Sequence, residues 1–281
     1  SGKEMDLVYT GFVNPYTVGT KNGSYVDLTD YLPELAPELW KEAPEYIWDF
    51  SKVKGRIYAV PNQQIFALPP GMEIDKRIVA KYKDRFDFDN VKSMEDWEPF
   101  LKLIKENEPD MIPYRINNLS IMWDYSRYDA VGSGFTVDMY DPEHKVIQTC
   151  ETPEIIQCYK TLTDWRKKGY IRVDIESCGD DTADYNAGIY ALSTQRYKPG
   201  IELMVKNSTG RDIDFFTYYD KAVMQKNGVS DTMTAVSITS KHIEECIKFL
   251  NVLNTDKEIY NLICHGIECK NYTVASDGKI V

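Results

Sequence analysis

The sequence lacks long apolar runs and any excess of positive charge. Among its 281 residues no uninterrupted apolar run exceeds four, which is too short to span a bilayer. Lysine and arginine number 33 against 44 aspartates and glutamates, which leaves a formal net charge of −11. An acidic chain of this kind argues against a protein that binds nucleic acid or an anionic membrane.

The short motifs that mark nucleotide, hydrolytic and zinc sites are absent as well. Gly132-Ser133-Gly134 is followed neither by a third glycine nor by a Lys-Ser/Thr pair, so we interpret it as a turn. Neither a Gly-x-Ser-x-Gly elbow nor a His-Glu-x-x-His pattern occurs. The cysteines include no Cys-x-x-Cys pair, and Cys158 and Cys246 fall on apolar helix faces, which predicts buried thiols. The sequence therefore predicts no cofactor, no metal site and no catalytic residue.

Carboxylates are abundant, so glycoside hydrolysis stays open as an alternative. Asp124 and Asp129 flank an aromatic stretch, but their spacing does not place them on one face of a helix. We interpret them as solvated helix charges. A sequence alone does not supply the carboxylate separation that a glycosidase needs.

Short strand patterns alternate with helical patterns, which predicts an α/β fold with mostly crossover connections. Strands are predicted at 7–9, 65–68, 112–116, 189–193 and 233–239, and hairpins at 53–61 and 135–149. Helices are predicted from 75, from a Ser-x-x-Asp box at 93–96, at 118–130, after Thr152-Pro153 and at 181–188. Two more helices are predicted to begin at Ser240 and Thr255.

What the sequence has in excess is tyrosine, at 20 residues beside 5 tryptophans. A sugar ring has an apolar C–H face that packs on an aromatic ring, and hydroxyls that need donors and acceptors around them. The combination of rings and planar polar side chains favours a carbohydrate ligand, against the alternative that most of these tyrosines are ordinary core residues. The rings in predicted loops or at strand ends are Tyr9, Tyr16, Tyr58, Trp123, Tyr185, Tyr197, Tyr218 and Tyr219.

Four segments resemble known solute receptors. Segments 6–11 (DLVYTG), 26–32 (VDLTDYL) and 55–61 (GRIYAVP) resemble the family 1 extracellular solute-binding proteins of ABC importers. Segment 249–258 (FLNVLNTDKE), with its continuation to residue 268, resembles the lipoprotein branch of that family in Firmicutes, which is linked to sugar and oligosaccharide binding. The resemblance implies an α/β fold of two lobes, of the type II periplasmic-binding-protein kind, with the ligand cleft between the lobes.

The resemblance also implies where the lobes and their ligand-binding residues lie. Lobe one would comprise residues 1–63 and 232–281, and lobe two residues 66–229. Family members begin with a βαβ segment before the first strand and continue past residue 281, so we expect lobe one to be incomplete. The ligand-binding residues expected from family position and residue chemistry are Phe12, Asn14, Asn62 and Gln63 in lobe one, and Trp123, Arg127, Tyr185, Arg196, Tyr197 and Tyr219 in lobe two.

A receptor of this family binds its ligand without chemical change. The resemblance implies a small-molecule carbohydrate ligand, an ABC transporter permease as partner, no nucleic acid, and a monomer. It places the protein outside the cell, at the surface, with membrane attachment only through a lipid anchor absent from this chain. A binding protein of the same fold for a peptide or another polar solute is the alternative, and a glycoside hydrolase is the more distant one.

Overall fold

The structure is a computed structural model that describes residues 3–12, 14–116, 127–132, 134–217, 224, 226–276, 278 and 280. The chain divides into two compact units, of which the first contains Ser1–Phe66 and Gln225–Val281 and the second Ala67–Met224. The chain therefore leaves the first unit once and later returns to it. Within the described ranges, no helix combines the length and the apolar character that crossing a membrane requires.

The helices and strands follow in chain order. The first unit begins with β1 (Leu7–Gly11), α1 (Tyr16–Lys21), α2 (Leu32–Leu35), α3 (Pro37–Glu42), α4 (Glu45–Ser51), β2 (Lys52–Val53), β3 (Arg56–Ile57) and β4 (Ala59–Pro61). The second unit contains β5 (Pro70–Asp75), α5 (Lys76–Tyr82), α6 (Glu98–Asn107), β6 (Ile112–Arg115), β7 (Tyr128–Gly132), β8 (Phe135–Asp138), β9 (Val146–Gln148), α7 (Pro153–Lys167), α8 (Thr182–Asn186), β10 (Tyr190–Arg196), α9 (Ile201–Thr209) and β11 (Ile213–Phe216). The first unit resumes with α10 (Lys226–Ser230), β12 (Thr232–Val236), α11 (Ile243–Thr255) and α12 (Lys257–Cys264).

The sheet of the first unit has the order β1-β12-β4, and both neighbouring pairs are antiparallel. Apolar residues alternate along its strands, because successive side chains point to opposite faces. Val60 and Val236 pack on one face with residues of α2, α3, α4 and α11, while Met233 and Ala235 pack on the other face with Tyr16 of α1. Both faces of this sheet are therefore covered near its middle, and its strand ends are left to carry function.

The main sheet of the second unit has the order β11-β5-β10-β6. Alternation along β5 places Met72 and Ile74 in the large core and Glu73 on the opposite face. Helices α5, α6 and α7 cover the core face, where Trp97 and Trp165 are both completely buried. Strands β7, β8 and β9 form a separate antiparallel sheet.

Several local predictions are confirmed. The hairpin predicted at 53–61 forms over residues 52–57, where β2 pairs with β3, whereas β4 pairs with β12 instead. The hairpin predicted at 135–149 pairs β8 with β9. Helix α7 starts where predicted, with Pro153 at its first helical position, but the hydroxyl of the N-cap residue Thr152 makes no capping hydrogen bond. Cys158 and Cys246 are buried, 0% and 6% exposed, and all six cysteines are free thiols.

The predicted crossover connections are confirmed in the two main sheets, where no two described neighbouring strands are consecutive in the chain, but most of these neighbours run antiparallel. Among the described strands, β6 and β10 form the only parallel pair, and the other pairs are antiparallel. The reason is that β5 pairs with β10 and β11, which lie far along the chain. Alternation of helices and strands in a sequence does not reveal the direction of partners this distant.

Three further predictions require correction. No strand forms at 65–68, and the strand of this region is β5, which begins at Pro70. Proline is tolerated there because it is the first residue of the strand. The helix predicted at 118–130 lies outside the described residues up to 126, and beyond that Tyr128 pairs with Asp138 in a strand. Tyr16, expected in a loop, is 3% exposed, because its hydroxyl donates to the carbonyl of Ser51 within the core.

The starts of the last two helices also differ from the prediction. Helix α11 begins at Ile243, and the Ser240 hydroxyl accepts from the His242 backbone before it at 3.0 Å. Helix α12 begins at Lys257, where Asp256 accepts from two backbone N–H groups at 2.9 and 3.0 Å. Asp256, and not Thr255, is therefore the N-cap residue.

Replacing Asp256 with alanine is expected to lower the free energy of unfolding by about 1 kcal/mol, because two backbone donors lose their acceptor. Thr255→Val is the matched control, since the Thr255 hydroxyl donates back to the Asn251 carbonyl and caps nothing. Urea denaturation followed by circular dichroism measures both variants. Equal losses in the two variants would show that Asp256 does not act as the cap.

Candidate functional site

Two exposed rings mark one edge of the sheet in the first unit. Strands β1 and β4 both run antiparallel to β12, so their carboxyl ends meet the start of β12 at the same edge. Tyr9 and Phe12 lie at this edge, 43% and 70% exposed, with ring centroids 6.2 Å apart in an edge-to-face arrangement. Two exposed rings side by side form a small aromatic patch that is available for contact with a ligand.

The backbone holds these two rings in place. The carbonyl of Asp231 accepts from the Tyr9 hydroxyl at 2.8 Å and from the Phe12 backbone N–H at 3.0 Å. Gly11 lies between them, and a Cβ there would overlap the Asp231 carbonyl. The rings are therefore positioned before any ligand arrives.

Polar side chains lie at the same end of the sheet as the rings. Asn62 donates its backbone N–H to the Thr232 carbonyl at 3.0 Å, and its side-chain oxygen accepts from Thr234 at 3.4 Å. Gln64 donates to the Thr232 hydroxyl at 2.6 Å. Asn14 is exposed and donates to the Tyr25 hydroxyl at 3.4 Å, and Gln63 is exposed next to Asn62. We call the exposed group Tyr9, Phe12, Asn14, Asn62 and Gln63 the Tyr9 edge.

The second unit carries a comparable group at one edge of its main sheet. Gln195 lies opposite Gly71, and Tyr197 continues the pairing through its backbone N–H to the Pro69 carbonyl at 2.8 Å. Gln195 and Tyr197 therefore share the sheet face that lies opposite the core. Arg196, between them, is half-buried. We call Gln195, Arg196 and Tyr197 the Tyr197 edge.

Behind this edge, Tyr185 is held between two arginines. The guanidinium carbons of Arg115 and Arg211 lie 4.3 and 4.5 Å from the centre of its ring. Glu73, 2% exposed, accepts from Arg211 at 3.3 Å and from Gln195 at 3.4 Å. The ring of Tyr185 is thus occupied by two guanidinium groups and half-buried, which leaves less of it for contact with a ligand.

The charges of this cluster are compensated in pairs. Arg115 donates two hydrogen bonds to Asp181, at 2.7 and 2.6 Å, and these hold the pKa of Asp181 below its usual value. Burial, followed by the nearby Glu73 carboxylate, raises the pKa of Tyr185, so its hydroxyl stays protonated at neutral pH. This cluster is therefore electrically balanced and adds no net charge that would attract an ion.

The structure groups some of the predicted residues and separates others. Phe12, Asn14, Asn62 and Gln63 gather at the Tyr9 edge, while Arg196 and Tyr197 lie at the Tyr197 edge with Tyr185 behind it. Arg127 lies instead beside β8, where it pairs with Asp138 and with Glu154. Trp123 and Tyr219 lie outside the described residues.

Sequence reasoning missed the residues that support these edges. Glu73, Arg115 and Arg211 escaped notice because their partners are remote in the chain, with 138 positions between Glu73 and Arg211. One signal was present, since Glu73 and Asp75 alternate with Met72 and Ile74. Alternation of acidic and apolar residues indicates a strand with one polar and one apolar face.

Comparisons with known proteins agree with this architecture. No protein-family model matches the chain. A carbohydrate ABC transporter substrate-binding protein of Streptococcus pneumoniae serotype 4 is 30% identical over 277 residues, which cover 97% of this chain and 55% of that protein. The crystal structure of the N-glycan transport solute binding protein NgtS from Streptococcus pneumoniae has a TM-score of 0.84 and 26% identity, covering 99% of this chain and 60% of that one. NgtS in complex with Man5GlcNAc has a TM-score of 0.74 and 26% identity, covering 100% of this chain and 62% of that one.

The chain thus spans between 55% and 62% of the length of these relatives. The alignments confirm the predicted fold class, since nearly the whole chain superposes on solute-binding proteins. These relatives are binding proteins and not enzymes. The resemblance drawn from the sequence motifs is confirmed: this chain is similar in sequence and in fold to the carbohydrate-binding proteins of ABC importers.

Proposed function

We propose that this chain captures an oligosaccharide and serves an ABC importer as its substrate-binding protein. The observation that carries the proposal is the exposed pair of rings at the Tyr9 edge, fixed by the Asp231 carbonyl and surrounded by amide side chains. The Tyr197 edge offers a second group of the same chemistry. The related NgtS, whose structure holds Man5GlcNAc, supports an oligosaccharide as the ligand class.

The energetics of these groups suit a sugar. Each aromatic ring buries roughly 150–250 Å² when it is fully covered, and each hydrogen bond adds about 0.5–1.5 kcal/mol. Micromolar binding needs about 8 kcal/mol in total, which a few rings and several amide contacts supply. The balanced charges of the Arg115–Tyr185–Arg211 cluster add no net charge that would favour an ionic ligand.

In this proposal, residues of both units contact the sugar, and ligand contacts favour the closed arrangement of the protein. The two units proposed to close on the ligand are residues 1–63 with 232–281 and residues 66–229. The closed form is then the one that the ABC transporter permease recognises. We further propose that the complete protein is an extracellular monomer held at the cell surface by a lipid anchor.

Calorimetry with a panel of mannose, mannobiose, chitobiose, Man5GlcNAc and short peptides tests the proposal. Saturable heat is expected with at least one saccharide and not with the peptides. Heat from the peptides alone would instead identify a peptide-binding protein. Incubation of the protein with the same saccharides tests the third alternative. Monosaccharide that is released by the wild-type protein, and not after one carboxylate is replaced, would identify a glycoside hydrolase.

Phe12→Ala is expected to weaken oligosaccharide binding about tenfold, since one exposed ring leaves the contact surface. Stability should change little, because the ring is 70% exposed. Phe135→Ala is the matched control: Phe135 is 50% exposed in β8, a strand that contributes no residue to either edge. Equal affinities of the Phe12→Ala and wild-type proteins would remove Phe12 from the site.

A further inference from the structure

A groove on the second unit lies beside β11, the outermost strand of the main sheet. Its lining includes no residue of the Tyr9 edge or the Tyr197 edge. It has a volume of about 880 Å³ and runs between β11 and the segment 83–89 that follows α5. That volume falls within the roughly 300–1,000 Å³ typical of small-molecule sites. The groove therefore has room for a ligand of one or a few sugar rings.

The lining of the groove combines aromatic rings with hydrogen-bonding groups. Phe86, Phe215 and Phe216 are only partly buried there. Lys83 and Asp84 stand exposed along the same groove. Phe86 stacks on Trp97 and Phe216 stacks on Phe88 in the core, so Phe215 is the ring that remains for a sugar. Polar groups of the kind that sugar hydroxyls need lie beside it.

Phe215 connects the groove to the Tyr197 edge. Strands β10 and β11 are both antiparallel to β5, so their carboxyl ends lie at the same edge of the sheet. The ring centroids of Phe215 and Tyr197 lie 5.1 Å apart. Gly71 makes this approach possible, because a Cβ there would lie 2.7 Å from the Phe215 ring.

We propose that this groove is a second saccharide subsite, with Phe215 as its platform, which receives further sugar residues of an oligosaccharide bound at the Tyr197 edge. This subsite rests on the proposed function, and it would make the affinity depend on the length of the saccharide. A ligand that covers both surfaces gains contacts that a disaccharide at the edge does not reach. Because the rings of Tyr197 and Phe215 are neighbours, one long saccharide could contact both, and the protein would then bind long saccharides more tightly than short ones.

The test compares affinities for mannobiose and Man5GlcNAc, or for the shortest and longest saccharides of the panel that bind. The wild-type protein is expected to bind the longer saccharide at least about tenfold more tightly, and Phe215→Leu to lose most of that ratio. Phe135→Leu, in β8, should keep the wild-type ratio. An unchanged ratio in Phe215→Leu, or no dependence on length in the wild type, overturns the subsite and leaves the proposed function intact.

A second readout needs no substitution. Amide hydrogen exchange in residues 83–89 is expected to slow when the wild-type protein binds the longer saccharide, and to stay unchanged with the shorter one. Equal exchange with both saccharides contradicts the subsite. If no saccharide binds at all, the proposed function fails first and the subsite fails with it.

Discussion

Arg211→Met is expected to lower the free energy of unfolding by about 3–5 kcal/mol, because it leaves the buried carboxylate of Glu73 without its cation. Glu73 is 2% exposed and Arg211 9%, and their ion pair measures 3.3 Å. The substitution also removes one of the two guanidinium groups that cover Tyr185. Chemical denaturation followed by fluorescence measures the loss.

A double variant separates charge burial from lost packing. Glu73→Gln combined with Arg211→Met removes both charges, so it should be more stable than Arg211→Met alone. Arg127→Met is the surface control: the Arg127 side chain is 44% exposed, and its loss should cost less than about 1 kcal/mol. A double variant no more stable than Arg211→Met would show that packing, and not the buried charge, sets the cost.

Gly11→Ala is expected to lower the free energy of unfolding by about 1–3 kcal/mol and to weaken oligosaccharide binding at the same time. A Cβ at residue 11 overlaps the Asp231 carbonyl and lies 2.8 Å from the Tyr9 hydroxyl. The conflict is with backbone, so β1 and β12 must move apart where they hold Tyr9 and Phe12. Both rings of the Tyr9 edge are then displaced together.

Gly132→Ala is the matched control, because nothing lies within 4 Å of a Cβ at that residue. It should leave both stability and affinity close to wild type. Thermal denaturation and calorimetry on the same preparations measure the two effects. If Gly11→Ala loses stability but binds the oligosaccharide as tightly as wild type, the rings of the Tyr9 edge do not contact the ligand.

The elements that the sequence predicts correctly are those set by neighbours in the chain. The turn between β2 and β3 depends on Gly55 within it, and the start of α7 depends on Pro153 at its first helical position. Cys158 is buried because it lies at helical spacing from Ile155 and Leu162, on the apolar face of α7. Each of these signals lies within a few residues of the feature that it predicts.

Features that depend on partners far away in the chain cannot be predicted from local sequence patterns. The Tyr9 hydroxyl donates to the Asp231 carbonyl, 222 positions away in the chain, and this hydrogen bond holds the ring at the end of the sheet. Likewise, Phe215 forms part of a groove only because β11 joins the sheet beside β5. No local pattern contains this information.

The candidate site divides in the same way. Residue chemistry and the resemblance selected Phe12, Asn14, Asn62 and Gln63, which the structure brings to one edge. The same reasoning selected Tyr185 as a ring for the ligand, whereas two arginines already pack against that ring. Its environment comes from β6 and from the segment before β11, and the sequence around residue 185 gives no sign of either.

The central claim is that exposed rings of this chain bind the C–H faces of a sugar. Saturation-transfer difference NMR tests it most directly, with the wild-type protein and Man5GlcNAc or the tightest saccharide of the panel. Strong saturation of the sugar ring C–H protons is expected with the wild-type protein, reduced in Phe12→Ala and retained in Phe135→Ala. No transfer to any saccharide, or transfer that Phe12→Ala leaves unchanged, would contradict it.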